Sequence, residues 1–173
     1  LSSFPTRKFA SPDAWEDFVE LFRTGQQHLP QAWADLFGPL RNGVVDDLVI
    51  VGQVGQSLDG RVATATGHSK YINCPAGIEH LHRLRALVDI VVVGVGTALA
   101  DDPQLTVRHV AGPQPARAVI DPKGRLGAKA KLFAEDGVRR LLITAEGSPA
   151  APPPGVEVIR LPAEDGNIPP CAI

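Results

Sequence analysis

The stretch DIVVVGVGTALADDPQLTVR, residues 89–108, decides the fold class. It begins with an apolar run, 89–95, of the kind found in a β-strand that is covered on both faces. Comparable runs follow or precede it at 48–54, 117–121, 140–144 and 156–161. Helical segments are expected between them, near 75–88 and 128–136. Strands that alternate with helices predict an α/β protein with a mostly parallel sheet flanked by helices.

The glycines of the same stretch raise the question of a dinucleotide-binding loop. Such a loop needs a third glycine, but Leu99 stands at that position. Pro103 also stops any long helix, because it favours extended geometry at Asp102. A Rossmann loop is therefore disfavoured. The pattern predicts a short turn at Gly96 and Thr97, whose backbone N–H groups could meet a phosphate.

The end of this stretch leaves two readings open. Asp101 and Asp102 could simply cap and turn the chain before Pro103. Arg108 follows the alternating apolar residues Leu105 and Val107, and it is either an anion contact or a surface charge.

The first 47 residues have a helical pattern. Ser11 and Pro12 form a helix start, and apolar residues then recur at helical spacing from Trp15 to Phe22. A second short helix is predicted around Trp33, ended by Gly38 and Pro39. We expect residues 1–47 to be a helical extension and 48–173 to be the main domain. That domain is expected to be incomplete at its C-terminus, because the chain stops soon after the fifth strand.

Composition excludes several functions. The chain has 173 residues, 44% hydrophobic and 21% charged, with a net charge of −2, as in ordinary globular proteins. Without a basic stripe or a long apolar segment, neither a nucleic-acid partner nor a membrane is expected. Cys74 and Cys171 form no paired motif, which predicts free thiols and a cytoplasmic location. His80 and His82 lie two apart on a helix, so no metal site is predicted.

Arg85 is the most informative charge in the helical segment 75–88. At 100° per residue it falls within the apolar stripe formed by Ile78, Leu81, Leu84 and Val88, whereas Arg83 projects from the solvated side. A buried cation needs a partner. Arg85 is therefore a member of a structural ion pair, an arginine that reaches water, or a ligand for a bound anion such as a phosphate.

Two loops carry weaker signals. The stretch GQVGQSLDGRVA (52–63) contains an Asp-Gly turn, which is either structural or a ligand loop in which Gly55 lets a flat ring approach the backbone. The stretch TGHSKYI (66–72) is either a surface loop or a ligand contact through Ser69 and Tyr71.

Four motifs together resemble one family. They are SLDGRVA (57–63), SKYI (69–72), LRALVDIVVVGVGTALADDPQLTVR (84–108) and AVIDPKGRL (118–126). Their order and spacing are similar to those of the pyrimidine reductase domain of riboflavin biosynthesis, which has a dihydrofolate-reductase-like fold. The resemblance implies NADPH-dependent reduction of 5-amino-6-(5-phosphoribosylamino)uracil to its ribitylamino product, or of a related pyrimidine or pterin-like substrate. It implies that the ribosyl ring opens to an imine, which then takes hydride at C1′.

The resemblance also implies a set of site residues. The cofactor would be lined by Gly55, Tyr71, Thr97, Asp101 and Pro122. The substrate, a phosphoribosyl pyrimidine, would be contacted by Ser69, Arg85, Leu105 and Arg108, with the arginines near its phosphate. Asp101 would be the catalytic residue, holding a ribose hydroxyl or assisting proton transfer. Lys123 and Arg125 are candidates for the 2′-phosphate that distinguishes NADPH from NADH. A homodimer is also implied.

The sequence departs from the family in three respects. Gln53 stands where many relatives carry lysine, the motifs of the fused deaminase are absent, and relatives continue past Ile173 with a glycine turn that grips the cofactor. These departures keep a second hypothesis open, that of a non-catalytic nucleotide- or phosphate-binding module of the same fold.

Overall fold

The computed structural model of the chain describes residues 12–25, 29–42, 48–67 and 73–173. The described residues form two compact units. The first comprises the chain up to Arg83 together with His109–Gly112, and the second comprises Leu84–Arg108 and Pro113–Ile173. The predicted division between residues 47 and 48 stays a prediction.

The second unit is built on a parallel sheet. Its strands are β1 (Ile90–Gly94), β2 (Ala116–Ile120), β3 (Arg140–Ala145) and β4 (Glu157–Leu161). They lie side by side in chain order and every neighbouring pair is parallel. Four of the five predicted strands are thereby confirmed, and the α/β class with a parallel sheet is confirmed with them.

The sheet has apolar residues on both faces, as parallel sheets require. On one face, Val119 of β2 and Leu142 of β3 pack with Val95, Ala98, Leu105, Leu132 and Phe133. On the other face, Ala118, Leu141 and Ile143 pack with Ile168, which follows β4. The alternation along β2 and β3 explains the continuous apolar runs in the sequence, since neither face is left to water.

The helices are α1 (Pro12–Arg23), α2 (Gln31–Phe37), α3 (Pro39–Asn42), α4 (Pro75–Leu87) and α5 (Val95–Asp101). Two single turns of 3-10 helix occur at Lys131–Phe133 and Pro170–Ala172. The predicted start of α1 at Pro12 and the predicted helix at 75–88 are confirmed. None of the helices in the described ranges is long and apolar enough to cross a membrane. Cys74 and Cys171 are exposed free thiols, as predicted.

The first unit has an aromatic core. Trp15 stacks on Phe18 at 5.6 Å between ring centroids, and it meets Trp33 edge-on at 5.3 Å. The expectation for Arg83 is wrong, because its guanidinium lies 4.4 Å from the Trp33 ring and pairs with Glu79. Cation–π attraction and the carboxylate on the next helical turn explain why this charge leaves water.

The predicted strand at 48–54 is wrong. The structure assigns no strand of the sheet to this segment, and its apolar side chains are exposed, with Ile50 at 85% and Val54 at 68%. Gly52 interrupts the run, and a glycine weakens a strand because it costs more backbone entropy and has no side chain to pack.

The predicted helix at 128–136 is also wrong beyond the single 3-10 turn. The backbone is extended on both sides of this turn, with ψ of 136° at Ala130 and 135° at Ala134, so no longer helix forms. The carbonyls of Phe133 and Ala134 accept hydrogen bonds from the buried side chains of Arg140 and Arg117, at 2.8 and 3.0 Å.

The geometry around residues 96–102 differs from the expectation as well. Gly96 and Thr97 do not form a separate loop between β1 and a helix. Helix α5 already begins at Val95, and both residues lie within its first helical turn. Asp102 is not extended but left-handed, with φ of 41° and its N–H bonded to the carbonyl of Ala98. Its carboxylate accepts the N–H of Lys131 at 2.9 Å and pairs with the ammonium of Lys131 at 3.1 Å. These contacts offset the cost of the left-handed backbone, which aspartate tolerates better than most residues.

Gly124 and Gly137 offer a matched test of this packing. Both have positive φ, +65° and +80°, so either change to alanine costs about 1–2 kcal/mol of backbone strain. A Cβ at Gly124 would also lie 2.8 Å from the backbone of Ala150, whereas nothing lies within 4 Å at Gly137. We expect Gly124→Ala to lower the free energy of unfolding by about 1–3 kcal/mol more than Gly137→Ala. Urea denaturation of both variants measures the difference, and equal losses would contradict the close packing.

Candidate functional site

Two of the predicted cofactor residues follow the carboxyl ends of neighbouring strands. Thr97 lies in the first turn of α5, directly after β1, and Pro122 follows β2, whereas Asp101 is the last residue of α5. Gly94 pairs with Ile120 at the ends of these neighbouring strands. Thr97 and Asp101 are exposed and Pro122 is partly exposed. Polar side chains at this edge suit a ligand site, because open α/β sheets bind ligands at the carboxyl ends of their strands.

Asp121 adds a buried acceptor at the same edge. Its side chain is fully buried, and one carboxylate oxygen accepts the N–H of Leu126 at 2.7 Å. The other oxygen, Oδ1, has no hydrogen-bond donor among the described residues. Sequence reasoning placed Asp121 only at the end of a strand. Its burial could not be seen there, since aspartates at strand ends are usually solvated turn formers.

The segment 104–108 is held in place by side chains rather than by a strand. Gln114 pairs with Val107 twice, accepting its N–H at 2.7 Å and donating to its carbonyl at 2.9 Å. Arg85 donates to the carbonyl of Thr106 at 3.1 Å, and Arg117 donates to that of Gln104 at 3.5 Å. The backbone that carries Arg108 is therefore fixed by three side chains from outside the segment.

Leu105 lies in this segment with an unusual backbone. Its φ is +60°, a conformation rare for a side-chain-bearing residue, and its side chain is 3% exposed within the core of the second unit. The side chain is thus used for packing. Any contact of Leu105 with a substrate would come from its backbone, which the core holds in a strained geometry.

Arg85 and Arg108 form a pair of like charges. Arg85 faces inward as predicted and is partly buried, and its Nε atom has no hydrogen-bond acceptor in the described part of the chain. No acidic side chain among the described residues forms an ion pair with it. Burial lowers the pKa of Arg85, and the positive charge of Arg108 lowers that pKa further. An anion at this position would relieve both effects.

Arg108 is exposed and oriented by its neighbours. Its Nη1 donates to the side-chain oxygens of Gln104 and Thr106, both at 2.9 Å. Of the explanations for Arg85 left open by the sequence, the structural ion pair is thus not found in the described residues, while a second cation is found nearby.

Of the other predicted ligand contacts, Gly55 lies in the first unit, and Ser69 and Tyr71 lie outside the residues that the structure describes. The amide group of Asn73 occupies the space beside Gly55, where a Cβ would come within 2.5 Å of its oxygen. The predicted Asp-Gly turn is present, since Gly60 has φ of +79° and its N–H bonds to the carbonyl of Ser57 at 2.9 Å. A hydrogen bond from Ser57 lowers the pKa of Asp59 in this turn.

Histidines, cysteines and acids do not gather into a metal site anywhere in the described ranges. His80 stacks on Phe37 and His82 lies beside His109, at 5.4 and 4.5 Å between ring centroids. Lys123 and Arg125, after β2, are exposed.

The fold and the edge residues define an α/β domain of the class that binds small ligands at the carboxyl ends of parallel strands. The chain belongs to the RibD C-terminal domain family, whose model matches residues 48–164. The family resemblance inferred from the four motifs is therefore confirmed, and with it the dihydrofolate-reductase-like fold.

Several curated proteins are similar to this chain. The 2,5-diamino-6-ribosylamino-4(3H)-pyrimidinone 5′-phosphate reductase of Methanothermobacter thermautotrophicus is 34% identical over 118 residues, which cover 66% of this chain and 52% of that protein. The riboflavin biosynthesis protein RibD of Aquifex aeolicus is 40% identical over 90 residues, 51% of this chain and 25% of the relative. The chain spans about half of the former and a quarter of the latter.

A solved structure is also similar to this chain. The diaminohydroxyphosphoribosylaminopyrimidine deaminase/5-amino-6-(5-phosphoribosylamino)uracil reductase from Thermotoga maritima matches with a TM-score of 0.53 and 39% identity. The match covers 58% of this chain and 28% of that protein.

Gln114 provides a test of how the 104–108 segment is held. Gln114→Ala leaves the N–H of buried Val107 without its acceptor, which costs about 1–3 kcal/mol locally. We expect hydrogen exchange of the Val107 amide to become about tenfold faster or more, as measured by NMR. Gln104→Ala is the control, because its side chain bonds to Arg108 and not to Val107. Unchanged exchange in Gln114→Ala would show that the segment is held by other contacts.

Proposed function

We propose that this chain acts as a pyrimidine reductase domain of riboflavin biosynthesis, which reduces a phosphoribosylamino pyrimidine with NADPH. The observation that carries the proposal is the arginine pair. Arg85 is partly buried without an acid partner in the described residues, and burial and the positive charge of Arg108 both lower its pKa. A site with this charge favours a dianionic phosphate.

The relatives support a phosphorylated ribose as the common element of the substrate. The name of the Methanothermobacter protein specifies a diaminopyrimidinone ribosyl 5′-phosphate, and that of the Thermotoga protein a phosphoribosylamino uracil. The two pyrimidine rings differ, whereas both names include a ribose phosphate. Arg85 and Arg108 would bind that phosphate, and the backbone of Leu105 would lie against the substrate.

The residues at the carboxyl edge fit a nicotinamide cofactor. Thr97 offers an exposed hydroxyl after β1, Pro122 follows the neighbouring strand β2, and Asp101 offers an exposed carboxylate at the end of α5. Asp121 Oδ1 is a buried acceptor that lacks a donor in the described residues, which is consistent with a polar group being bound near this edge. The bound cofactor would supply a hydride, and Asp101 could hold a ribose hydroxyl or a proton at the reacting centre. Gly55, Ser69 and Tyr71 stay predicted contacts, as do Lys123 and Arg125 for a 2′-phosphate.

A direct assay tests the proposal. The chain is mixed with NADPH and either pyrimidine substrate, and the loss of nicotinamide absorbance at 340 nm is followed, with NADH as the comparison. Turnover with one of the two pyrimidines is the expected result. Binding of NADPH or of the pyrimidine without turnover would favour the alternative of a non-catalytic binding module. Absence of both binding and turnover would contradict both functions. The homodimer and the cytoplasmic location stay predictions.

Arg85 gives the mutational test. Arg85→Ala removes the inward guanidinium, and we expect the KM for the pyrimidine substrate to rise roughly 10- to 100-fold, as for loss of a charge-assisted hydrogen bond. The KM for NADPH should change little. Arg85→Lys keeps the charge and should recover part of the loss. If Arg85→Ala instead lowers the melting temperature strongly while the KM of the remaining folded protein is unchanged, then Arg85 is structural.

A further inference from the structure

The second unit has a cleft beside the amino end of β3. It is lined by Lys129, Lys131, Phe133, Glu135, Arg140 and Pro153, among others, and its volume is about 520 Å³. Arg140 is the first residue of β3, and Pro153 precedes β4, so the cleft lies at the amino ends of these strands. The predicted cofactor residues Thr97 and Pro122 follow the carboxyl ends of β1 and β2 instead.

Arg140 is the unusual group in this cleft. It is 7% exposed, and its guanidinium donates to the carbonyl of Phe133 at 2.8 Å and to that of Gly155 at 3.4 Å. A guanidinium has five N–H donors, so these two bonds leave most of its hydrogen-bonding capacity unused. Its Nε atom is buried without an acceptor in the described residues. No acid in the described ranges pairs with it.

A second buried arginine lies beside it. Arg117 of β2 is the register partner of Arg140, and it is 1% exposed. Arg117 pairs with Asp136, the acid that the described residues provide for these two guanidiniums. The carboxylate of Asp136 therefore balances only one of these two neighbouring buried positive charges. Because an uncompensated buried charge is costly, the arrangement favours a further anion.

The other charged residues of the cleft also leave it positively charged. Lys129 is exposed and forms no ion pair with a described residue, while Lys131 pairs with Asp102. Glu135 also lines the cleft, and it makes no ion pair with Arg140. Because Asp102 balances Lys131, Arg140 and Lys129 remain against Glu135, and the cleft keeps an excess of one positive charge. Phe133 and Pro153 give it an apolar wall.

From these contacts we propose that the cleft at the amino ends of β3 and β4 is a second ligand site, which binds a phosphate-bearing small molecule. The phosphate lies against Arg140 and Lys129, and the apolar part of the ligand lies against Phe133 and Pro153. A phosphate is favoured over a carboxylate because its three acceptor oxygens can accept from Arg140 and Lys129 together. The site is independent of the proposed reductase activity, since it uses none of the residues assigned to that reaction.

The test is a titration of the full ¹⁵N-labelled chain with inorganic phosphate, followed by NMR. The backbone amides of residues 128–135 and the side-chain Nε–H of Arg140 should shift with saturation. Acetate is the comparison, and it should bind more weakly. The same titration of Arg85→Ala should give the same shifts in 128–135, which separates this site from the candidate active site.

Two variants with the same change of charge sharpen the test. Lys129→Gln should raise the apparent Kd for phosphate about threefold, as for loss of one exposed ionic contact. Arg160→Gln is the control, because Arg160 is exposed outside the cleft lining and its recorded contact is a hydrogen bond to the carbonyl of Ser148. Its Kd should not change. Arg140→Lys should weaken binding further than Lys129→Gln.

Three results would overturn the proposal. They are shifts confined to the residues around Arg85 and Arg108, equal affinities of Lys129→Gln and the wild type, and the absence of saturable shifts in 128–135. Acetate binding as tight as phosphate would overturn the assignment to phosphate.

Discussion

The guanidinium of Arg117 holds together three segments of the second unit. It is buried in β2 and donates to the carbonyl of Gln104, to that of Ala134, and to the carboxylate of Asp136. Gln104 begins the segment that carries Arg108, and Ala134 lies in the loop that lines the cleft. An arginine suits this position because its planar group presents several donors in fixed directions, which a lysine cannot do. Both candidate sites thus depend on one buried cation in the centre of the sheet.

The two candidate sites share Arg117 but carry different polar groups. At the carboxyl ends of the strands, Thr97 offers an exposed hydroxyl and Asp121 a buried carboxylate, which suit the hydroxyls of a ligand. At the amino ends, the buried groups are arginines that donate to loop carbonyls. Buried groups with unused capacity, Asp121 Oδ1 on one side and Arg140 Nε on the other, indicate where a partner of opposite character would be stabilised.

The sheet could be predicted from sequence because its strands are continuous apolar runs, which in β2 and β3 are buried on both faces. An apolar run at 89–95 or 140–144 has few alternatives once helices lie between the runs, and the structure agrees to within a residue or two. The run at 48–54 has the same composition but does not form a strand of this sheet. An apolar run shows that a segment could form a buried strand. Whether it does so depends on a neighbouring strand with which it can pair, and the local sequence does not specify that strand. The helix expected at 128–136 is also wrong, since the backbone is extended at Ala130 and Ala134, and the contacts of distant arginines with Phe133 and Ala134 cannot be read from the local sequence.

Arg83 and Arg85 show which properties of a helical side chain can be predicted from helical periodicity. They lie two residues apart on α4, and periodicity assigned them to opposite sides. Arg83, expected in water, packs on Trp33 and pairs with Glu79, so its charge is balanced within the chain. Arg85, expected to face inward, does so beside another cation and without an acid in the described residues. The angle of a side chain about its helix can be predicted from sequence, whereas the groups it meets are set by tertiary packing. Because a balanced charge stabilises the fold and an unbalanced one favours an external anion, that packing is what separates a structural arginine from a ligand-binding one.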